Sequence, residues 1–341
     1  MKTRSIAAAL TAPLALLLVA CGTSDTDSGD DEAPKANDSA DCADDTTATA
    51  EGPVSLTDSY GRTVELDQPA ERVAVLEWQQ TEDLLTLCLT PVAVADAEGF
   101  ATWDTAEELP EDVTDVGTRG EPNLETLFGT NPDLVIVEAY TAEDEIIKQL
   151  EEYDVPVLAT KGADAADPVQ NMLDTFDLIA EATGRQERAE LVTEQFETSL
   201  AEAKQAIEDA DIATDSFVYF DGWIQGGNVA IRPFGQGSLM GELGEELGLT
   251  NAWEGEVDPA YGLGQTDIEG MSEVGDATFF YTGTTDPAGD VNAELAKNRV
   301  WNEIPAVAEG RAYAFPSGIW TFGGPRSAEQ VIDAYVDLLT Q

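Results

Sequence analysis

A long helical segment between two stretches of alternating strand and helix patterns most constrains how this chain can fold. From residue 72 onward, short apolar runs alternate with helical stretches, which is typical of βαβ units and a largely parallel sheet. The alternation stops at residue 167, where two helical stretches follow, separated by Gly184, and it resumes at residue 216. The second stretch, predicted over residues 186–209, would be ~36 Å long, too long for a crossover within a small sheet. The sequence therefore predicts two similar α/β lobes joined by one helical strut.

Local patterns predict the bounds of individual elements. Residues 72–76 predict a strand, and residues 81–87 predict a helix with Thr81 as its N-cap and two acids in its first turn. A further strand is predicted at residues 216–220, ending there in a loop. The apolar stripe of the 186–209 helix is expected from Leu191, Phe196, Leu200 and Ile207.

Composition excludes several classes of function. The chain has no histidine, and its 68 acids against 16 bases give a formal net charge of -52. Without histidine there is no Ser-His-Asp or Cys-His catalysis, and no histidine-ligated zinc or haem. The negative charge argues against binding nucleic acid or anionic lipid through a basic face. A hydrophobic content of 43% is nevertheless ample for folded cores, so any chemistry must use carboxylates, arginines, aromatics and amides.

The N-terminus predicts export and attachment to a membrane. Residues 1–20 have a positive start and an apolar run too short for a spanning helix, as in a secretory signal peptide. Leu17 to Ala20, followed by Cys21, resembles a bacterial lipobox, in which the cysteine is lipidated and becomes the new N-terminus. Residues 21–52 are acidic with almost nothing apolar, which predicts a disordered tether. The rest is predicted to comprise an N-terminal lobe (53–166), a helical segment (167–210) and a C-terminal lobe (211–341).

Six short motifs carry a resemblance to a known family. In chain order they are 58–64 (DSYGRTV), 69–78 (PAERVAVLEW), 116–125 (VGTRGEPNLE), 131–136 (NPDLVI), 234–238 (FGQGS) and 320–328 (WTFGGPRSA). Their order and spacing resemble the substrate-binding lipoproteins of iron-siderophore ABC transporters, over about residues 54–340. The ferric-citrate and hydroxamate type is most similar, and vitamin B12 binders are related. The resemblance implies two Rossmann-like lobes bridged by a helix, one ferric siderophore bound between them, no catalysed reaction and no cofactor. It also implies delivery to a membrane permease and its ATPase.

Candidate ligand-binding residues are arginines and aromatic side chains. Several of them lie near predicted strand ends, and ligands of open α/β sheets bind outside the carboxyl ends of the strands. A ferric siderophore is bulky and often anionic, and an arginine can donate two parallel hydrogen bonds to its oxygens. The candidates are Trp78, Arg119, Tyr140, Trp223, Arg232, Tyr261, Trp320 and Arg326. Their alternative roles are core packing for the aromatics and structural pairing for the arginines. No residue is expected to ligate the metal directly.

Two further pairs of residues have predicted roles. The resemblance implies that Glu125 and Glu269, one on each lobe, pair with arginines of the permease. Cys42 and Cys88 are the only cysteines left after lipidation, in an oxidising setting. Cys88 occupies the helix-ending position that Gly248 fills in the second half, where glycine is favoured. We therefore predict a disulfide that pins the tether to the N-terminal lobe.

Other functions stay open at this point. The same fold could bind another bulky chelate such as a corrinoid, whereas haem lacks suitable axial ligands. A surface-anchored hydrolase could work with two carboxylates, although no pair stands out among 68 acids. A purely structural surface protein is a third alternative. We expect a monomer on the extracytoplasmic face of the cell membrane, attached through its lipid only and without a nucleic-acid partner. The scarcity of cations disfavours a triscatecholate relative to citrate or a hydroxamate.

Overall fold

The secondary structure is mixed α/β, in a computed structural model that describes residues 40–226, 228–284 and 291–340. The strands are β1 Val54–Thr57, β2 Thr63–Leu66, β3 Val73–Val75, β4 Ala93–Val94, β5 Thr114–Asp115, β6 Gly117–Thr118, β7 Glu121–Pro122, β8 Leu134–Ala139, β9 Val157–Lys161, β10 Ser216–Gln225, β11 Asn228–Phe234, β12 Thr250–Asn251, β13 Thr278–Gly283 and β14 Ala312–Ser317. The helices are α1 Ala40–Ala43, α2 Trp78–Thr86, α3 Ala97–Trp103, α4 Leu124–Gly129, α5 Glu145–Glu151, α6 Pro168–Thr183, α7 Gln186–Asp209, α8 Leu239–Glu246, α9 Ile268–Met271, α10 Asn292–Leu295, α11 Arg299–Glu303, α12 Pro305–Ala308 and α13 Pro325–Leu339.

The first half of the chain forms sheet 1, which has five parallel strands in the order β5-β4-β3-β8-β9. Its inner strands are almost continuously apolar and buried, as expected for a parallel sheet covered by helices on both faces. The strand predicted at residues 72–76 is confirmed as β3. Two antiparallel ribbons, β1-β2 and β6-β7, lie outside this sheet.

The second half forms sheet 2, with the order β11-β10-β13-β14 and β12 paired to β10. The β10–β13, β13–β14 and β10–β12 pairs are parallel, whereas β10 and β11 are antiparallel. The prediction that the strand ends at residue 220 is wrong, because β10 continues to Gln225 and pairs with β11 as a long hairpin. This hairpin places residues 221–225 beyond the parallel part of the sheet.

Helix α7 contributes to the cores of both sheets. It spans the residues predicted for it, and the preceding helix α6 ends at Gly184, which adopts a left-handed φ of 71°. Ala189 and Val192 pack in the core of sheet 1, and Phe196 and Ile207 pack in the core of sheet 2. Leu191, expected in the apolar stripe, is instead 38% exposed, because the buried face is rotated by one residue to Val192. Within the described ranges, no helix is both long and apolar enough to cross a membrane.

Helix α2 begins earlier than predicted and is buried throughout. Its N-cap is Glu77, whose carboxylate accepts a hydrogen bond from the Trp78 N–H, so the prediction of Thr81 as N-cap is wrong. Glu82, predicted in the first turn of the helix, lies beyond that turn and is 0% exposed. Its carboxylate accepts hydrogen bonds from the backbone N–H groups of Gly324 and Ser327 at the start of α13. A buried acid of α2 thus caps a helix from the far end of the chain.

Cys42 and Cys88 form a disulfide with their Cα atoms 5.4 Å apart, the pairing expected from the sequence. Cys88 adopts a left-handed φ of 64°, which is the conformation that favours glycine at the corresponding Gly248. Residues 42–50 also contact the body, since the Ala50 N–H donates to the Gly184 carbonyl at 2.8 Å and Asp45 pairs with Arg185. The expectation of a disordered tether is therefore wrong for residues 42–50, while residues 1–39, including Cys21, lie outside the described residues.

Candidate functional site

A cavity of about 850 Å³, here called the cleft, is lined by residues from both sheets. On the side of sheet 1, the lining follows the carboxyl ends of three adjacent parallel strands: Glu77 after β3, Glu138 and Tyr140 at the end of β8, and Gly162 after β9. On the other side it includes Arg232 of β11. The cleft therefore lies where open α/β sheets generally bind ligands.

One wall of the cleft is aromatic. Trp320, Phe322 and Tyr261 line it, with ring centroids 5.4 Å apart between Trp320 and Phe322 and 5.8 Å apart between Tyr261 and Phe322. Trp78 lies behind this wall, only 5% exposed, with its ring edge-to-face against Trp320 at 4.7 Å. Its indole N–H donates to the Asp96 carbonyl at 3.2 Å, which fixes the ring. Trp78 thus supports the aromatic surface without being part of the lining.

Arg119 lies on the sheet 1 side of the cleft, in the turn between β6 and β7. Its guanidinium stacks over the Trp78 ring, 3.8 Å from the centroid, and forms an ion pair with Glu77. Glu77 in turn caps α2, so the arginine is held by an element of the buried core. Its side chain remains 31% exposed, and its charge faces the cleft already partnered by a carboxylate.

Arg232 lies on the opposite side and is held in a similar way. It stands directly across the β10–β11 hairpin from Asp221, a register that places the two side chains together. Its Nε donates to Asp221 Oδ1 at 2.9 Å and its Nη2 donates to Oδ2, a two-point pairing. Burial raises the pKa of Asp221, and the hydrogen bond and charge of Arg232 oppose that rise.

Glu138 is a functional candidate that sequence reasoning missed. It accepts a hydrogen bond from the Tyr261 hydroxyl at 2.8 Å, a contact between residues 123 positions apart. Burial, together with the negative charge of Glu77, raises the pKa of Glu138 to about 7, and the Tyr261 hydrogen bond and Arg119 oppose the rise. Burial beside Glu138 also raises the pKa of the Tyr261 hydroxyl. The sequence did contain a signal for Glu138. It directly follows the apolar run at the start of β8, and a position just after such a run was the reason for selecting Tyr140.

The structure brings five of the eight candidates to the cleft: Arg119, Tyr140, Arg232, Tyr261 and Trp320. Tyr140 is 76% exposed at the rim. Trp223 is outside the lining because the unexpected extension of β10 carries it into the hairpin, opposite Ala230. Arg326 is also outside, in the first turn of α13, where it pairs with Glu329 at 2.8 Å.

Glu125 and Glu269 occupy equivalent local positions in the two halves. Both are exposed residues in the first turn of a short helix, α4 and α9 respectively. In each case an Asx side chain caps the helix, with Asn123 and Asp267 each accepting a backbone N–H at 3.0 Å. Two exposed carboxylates therefore occupy matching positions on short capped helices, one in each half of the chain.

The chemistry available in the cleft is binding chemistry: an aromatic wall of rings packed edge-to-face, two oriented guanidiniums, a tyrosine hydroxyl and several carboxylates. Among residues 40–226, 228–284 and 291–340, no group of three or more Cys, Asp or Glu side chains is arranged to hold a metal ion.

A sequence profile of the periplasmic binding protein family matches residues 73–318. The chain is similar to the iron(3+)-hydroxamate-binding protein FhuD of Escherichia coli (strain K12), with 27% identity over 258 residues, covering 75% of this chain and 83% of the relative. It is also similar to the Fe(3+)-citrate-binding protein YfmC of Bacillus subtilis (strain 168), with 28% identity over 283 residues, covering 80% of this chain and 81% of the relative.

Solved structures show the same fold. The Fe3+–Desferal-bound siderophore binding protein FhuD from Vibrio cholerae superposes with a TM-score of 0.69 at 23% identity, covering 79% of this chain and 97% of that one. The triscatecholate siderophore binding protein FeuA from Bacillus subtilis, complexed with ferri-bacillibactin, gives a TM-score of 0.63 at 21% identity. The match covers 84% of this chain and 98% of the FeuA chain. At these identities the likeness concerns the fold, and it confirms the predicted mixed α/β class with parallel sheets.

Proposed function

This chain belongs to the periplasmic binding protein family, and on that basis we propose that it is an extracytoplasmic lipoprotein that captures a ferric siderophore and delivers it to an ABC importer. The observation that supports this most is the cleft, whose volume of about 850 Å³ is within the usual range for small-molecule sites. Its aromatic wall and two arginines suit a bulky chelate with exposed oxygens. Relatives named for ferric hydroxamate and ferric citrate support iron chelates as the ligand class.

The proposed mechanism is binding and release without catalysis. The ligand enters between two lobes, residues 53–166 and 211–341, and contacts the aromatic wall while the arginines orient its oxygens. Because α7 is packed into the cores of both sheets, the two lobes move relative to each other only modestly. Cys21 carries the lipid anchor, and the folded part works as a monomer outside the cell membrane.

Docking on the permease is assigned to Glu125 and Glu269. Their exposure and matching positions on α4 and α9 support a role in contacting a cationic partner. Replacing both by Arg is expected to abolish uptake of the chelate into cells while the purified variant still binds it. Retained uptake would contradict this assignment.

The binding function is tested by tryptophan fluorescence during titration with ferric hydroxamate, ferric citrate, ferric catecholate, cobalamin and the iron-free chelators. We expect saturable quenching by a ferric complex with a Kd of about 1 μM or lower. Trp320→Leu should weaken binding about tenfold, because Trp320 lines the cleft. Trp223→Leu is the matched control, since it removes a partly exposed tryptophan that lies outside the lining.

Other outcomes of the same titration distinguish the alternatives. A response to cobalamin alone would keep the fold and replace the iron chelate by a corrinoid. Hydrolysis of chromogenic glycosides, without binding of any chelate, would favour the carboxylate-dependent hydrolase. No response from folded protein would contradict the proposed function.

A further inference from the structure

The charges that line the cleft are predominantly negative. The ionisable acids and bases of its lining are Glu77, Asp96, Glu138, Asp144, Arg119 and Arg232. Arg119 pairs with Glu77, and Arg232 pairs with Asp221, which lies outside the lining. Both guanidiniums are therefore already compensated by carboxylates, and an incoming anion would meet an excess of negative charge.

Three of the four acids have structural partners within their own segments. Glu77 caps α2, Asp96 caps α3, and Asp144 accepts hydrogen bonds from two residues of its own loop. Glu138 differs, because its hydrogen bond comes from Tyr261, on the other side of the cleft. The positive charge of Arg119 lowers the pKa of Glu138, but the ion pair of the guanidinium is with Glu77.

The fold makes room for the Glu138 carboxylate on the cleft surface. Gly162 lies against it so closely that a Cβ at this position would overlap both carboxylate oxygens. Burial there disfavours the charged form, which is why the pKa of Glu138 is raised to about 7. A positively charged group placed beside Glu138 would favour the carboxylate and gain an ion pair in a partly desolvated site.

We propose that the cleft selects ferric chelates of zero or positive net charge, and that Glu138 binds a basic group carried at the periphery of the chelate. This inference rests on the proposed function, because it assumes that a ferric chelate is the ligand. Iron(III) bound by three hydroxamates is neutral, and a free amine on the same chelator makes the complex a cation. Three catecholates leave the complex with three negative charges. The chemistry of the lining therefore fits a trishydroxamate with a pendant ammonium.

Ferric desferrioxamine B tests the proposal, because its terminal ammonium can be changed without altering the hydroxamates. Acetylation makes the complex neutral, and succinylation makes it anionic. By titration calorimetry we expect the ammonium form to bind about tenfold more tightly than the acetylated form, and the succinylated form to bind more weakly still. An ionic strength of about 0.15 M limits the Debye length to about 8 Å, so charges distant from the cleft contribute little.

Two variants separate the local carboxylate from the overall charge. Glu138→Gln keeps the shape and the acceptor for Tyr261, and it should reduce the preference for the ammonium form to less than about twofold. Glu152→Gln removes the same charge from an exposed position at the end of α5, and it should retain the full preference.

Equal binding of the three complexes, or a preference that persists in Glu138→Gln, would overturn the inference and leave the siderophore-binding function standing. Failure of every ferric complex to bind, citrate and catecholate included, would instead contradict the proposed function.

Discussion

Replacing Glu82 by Ala should strongly destabilise the protein, because this side chain connects α2 to α13. Its carboxylate is 0% exposed and accepts three hydrogen bonds: from the Gly324 N–H at 2.9 Å, the Ser327 N–H at 2.8 Å and the Ser327 hydroxyl at 2.7 Å. All three donors lie at the N-terminus of α13, where the helix dipole favours a negative charge. The variant would leave these donors buried without their acceptor.

The magnitude follows from the number and type of these hydrogen bonds. A hydrogen bond to a charged group contributes about 1.5–3 kcal/mol, and the desolvation cost of the buried carboxylate offsets part of the sum. Asp104 is buried near this carboxylate, and burial together with the charge of Glu82 raises the pKa of Asp104 well above its usual range. We expect Glu82→Ala to lower the free energy of unfolding by about 3–5 kcal/mol, because each buried donor left without an acceptor costs about 1–3 kcal/mol and the lost desolvation penalty offsets part of that sum.

Urea unfolding followed by tryptophan fluorescence measures this free energy. Glu151→Ala is a matched control that also removes one negative charge, but from an ion pair with Arg62 in which Glu151 is 51% exposed, and it should cost less than about 1 kcal/mol. Ser327→Ala should cost about 1.5–3 kcal/mol alone and much less in the Glu82→Ala background. A loss for Glu82→Ala no larger than that of Glu151→Ala, or additive costs in the double variant, would refute the reasoning.

Three further outcomes are expected. Reducing the Cys42–Cys88 disulfide, which closes a loop with a sequence separation of 46, should lower the unfolding free energy by about 2–4 kcal/mol, and an unchanged urea midpoint after reduction would contradict this. The pKa of Glu138 is raised from 4.5 to about 7, so the folded protein holds this proton more tightly than the unfolded chain does. Its contribution to stability is therefore fully present below about pH 4.5 and is lost as the pH rises through about 7. The unfolding free energy of Glu138→Gln should therefore equal that of the native protein near pH 4 and exceed it by up to about 3 kcal/mol at pH 8; a pH-independent difference would oppose this account. Gly162→Ala should displace the Glu138 carboxylate and weaken the preference for a cationic chelate, as measured with the ammonium and acetylated complexes, and an unaltered preference would show that the close approach does not matter.

Much of the fold was predictable because its signals are local. Periodicity and a glycine stop gave the bounds of α7 and the end of α6, since both depend on residues within a few positions of each other. The buried strand β3 was likewise evident from a short β-prone run. The start of α2 was misplaced because Glu77 caps the helix with its own carboxylate, and an acid followed by Trp is an unusual N-cap pattern.

The hairpin of β10 and β11 was not predictable in the same way. The strand was expected to end at residue 220, and its extension depends on pairing with residues 228–234 after the turn. Pairing between two segments depends on backbone hydrogen bonds and cross-strand contacts that a single run does not display. As a result Trp223 was assigned to the site although the hairpin carries it away from the cleft.

The sequence by itself determined the α/β class, the long helix between the two halves of the chain and the excess of acids. Only the tertiary structure decided which charges meet: Arg232 with Asp221 across a hairpin, and Glu138 with Tyr261 across the cleft. The physical reason is that helix and strand periodicity are properties of neighbouring residues, whereas the burial and partner of a charge depend on segments far apart in the chain. The burial and the charged partner of a carboxyl control both its pKa and its ability to bind a ligand.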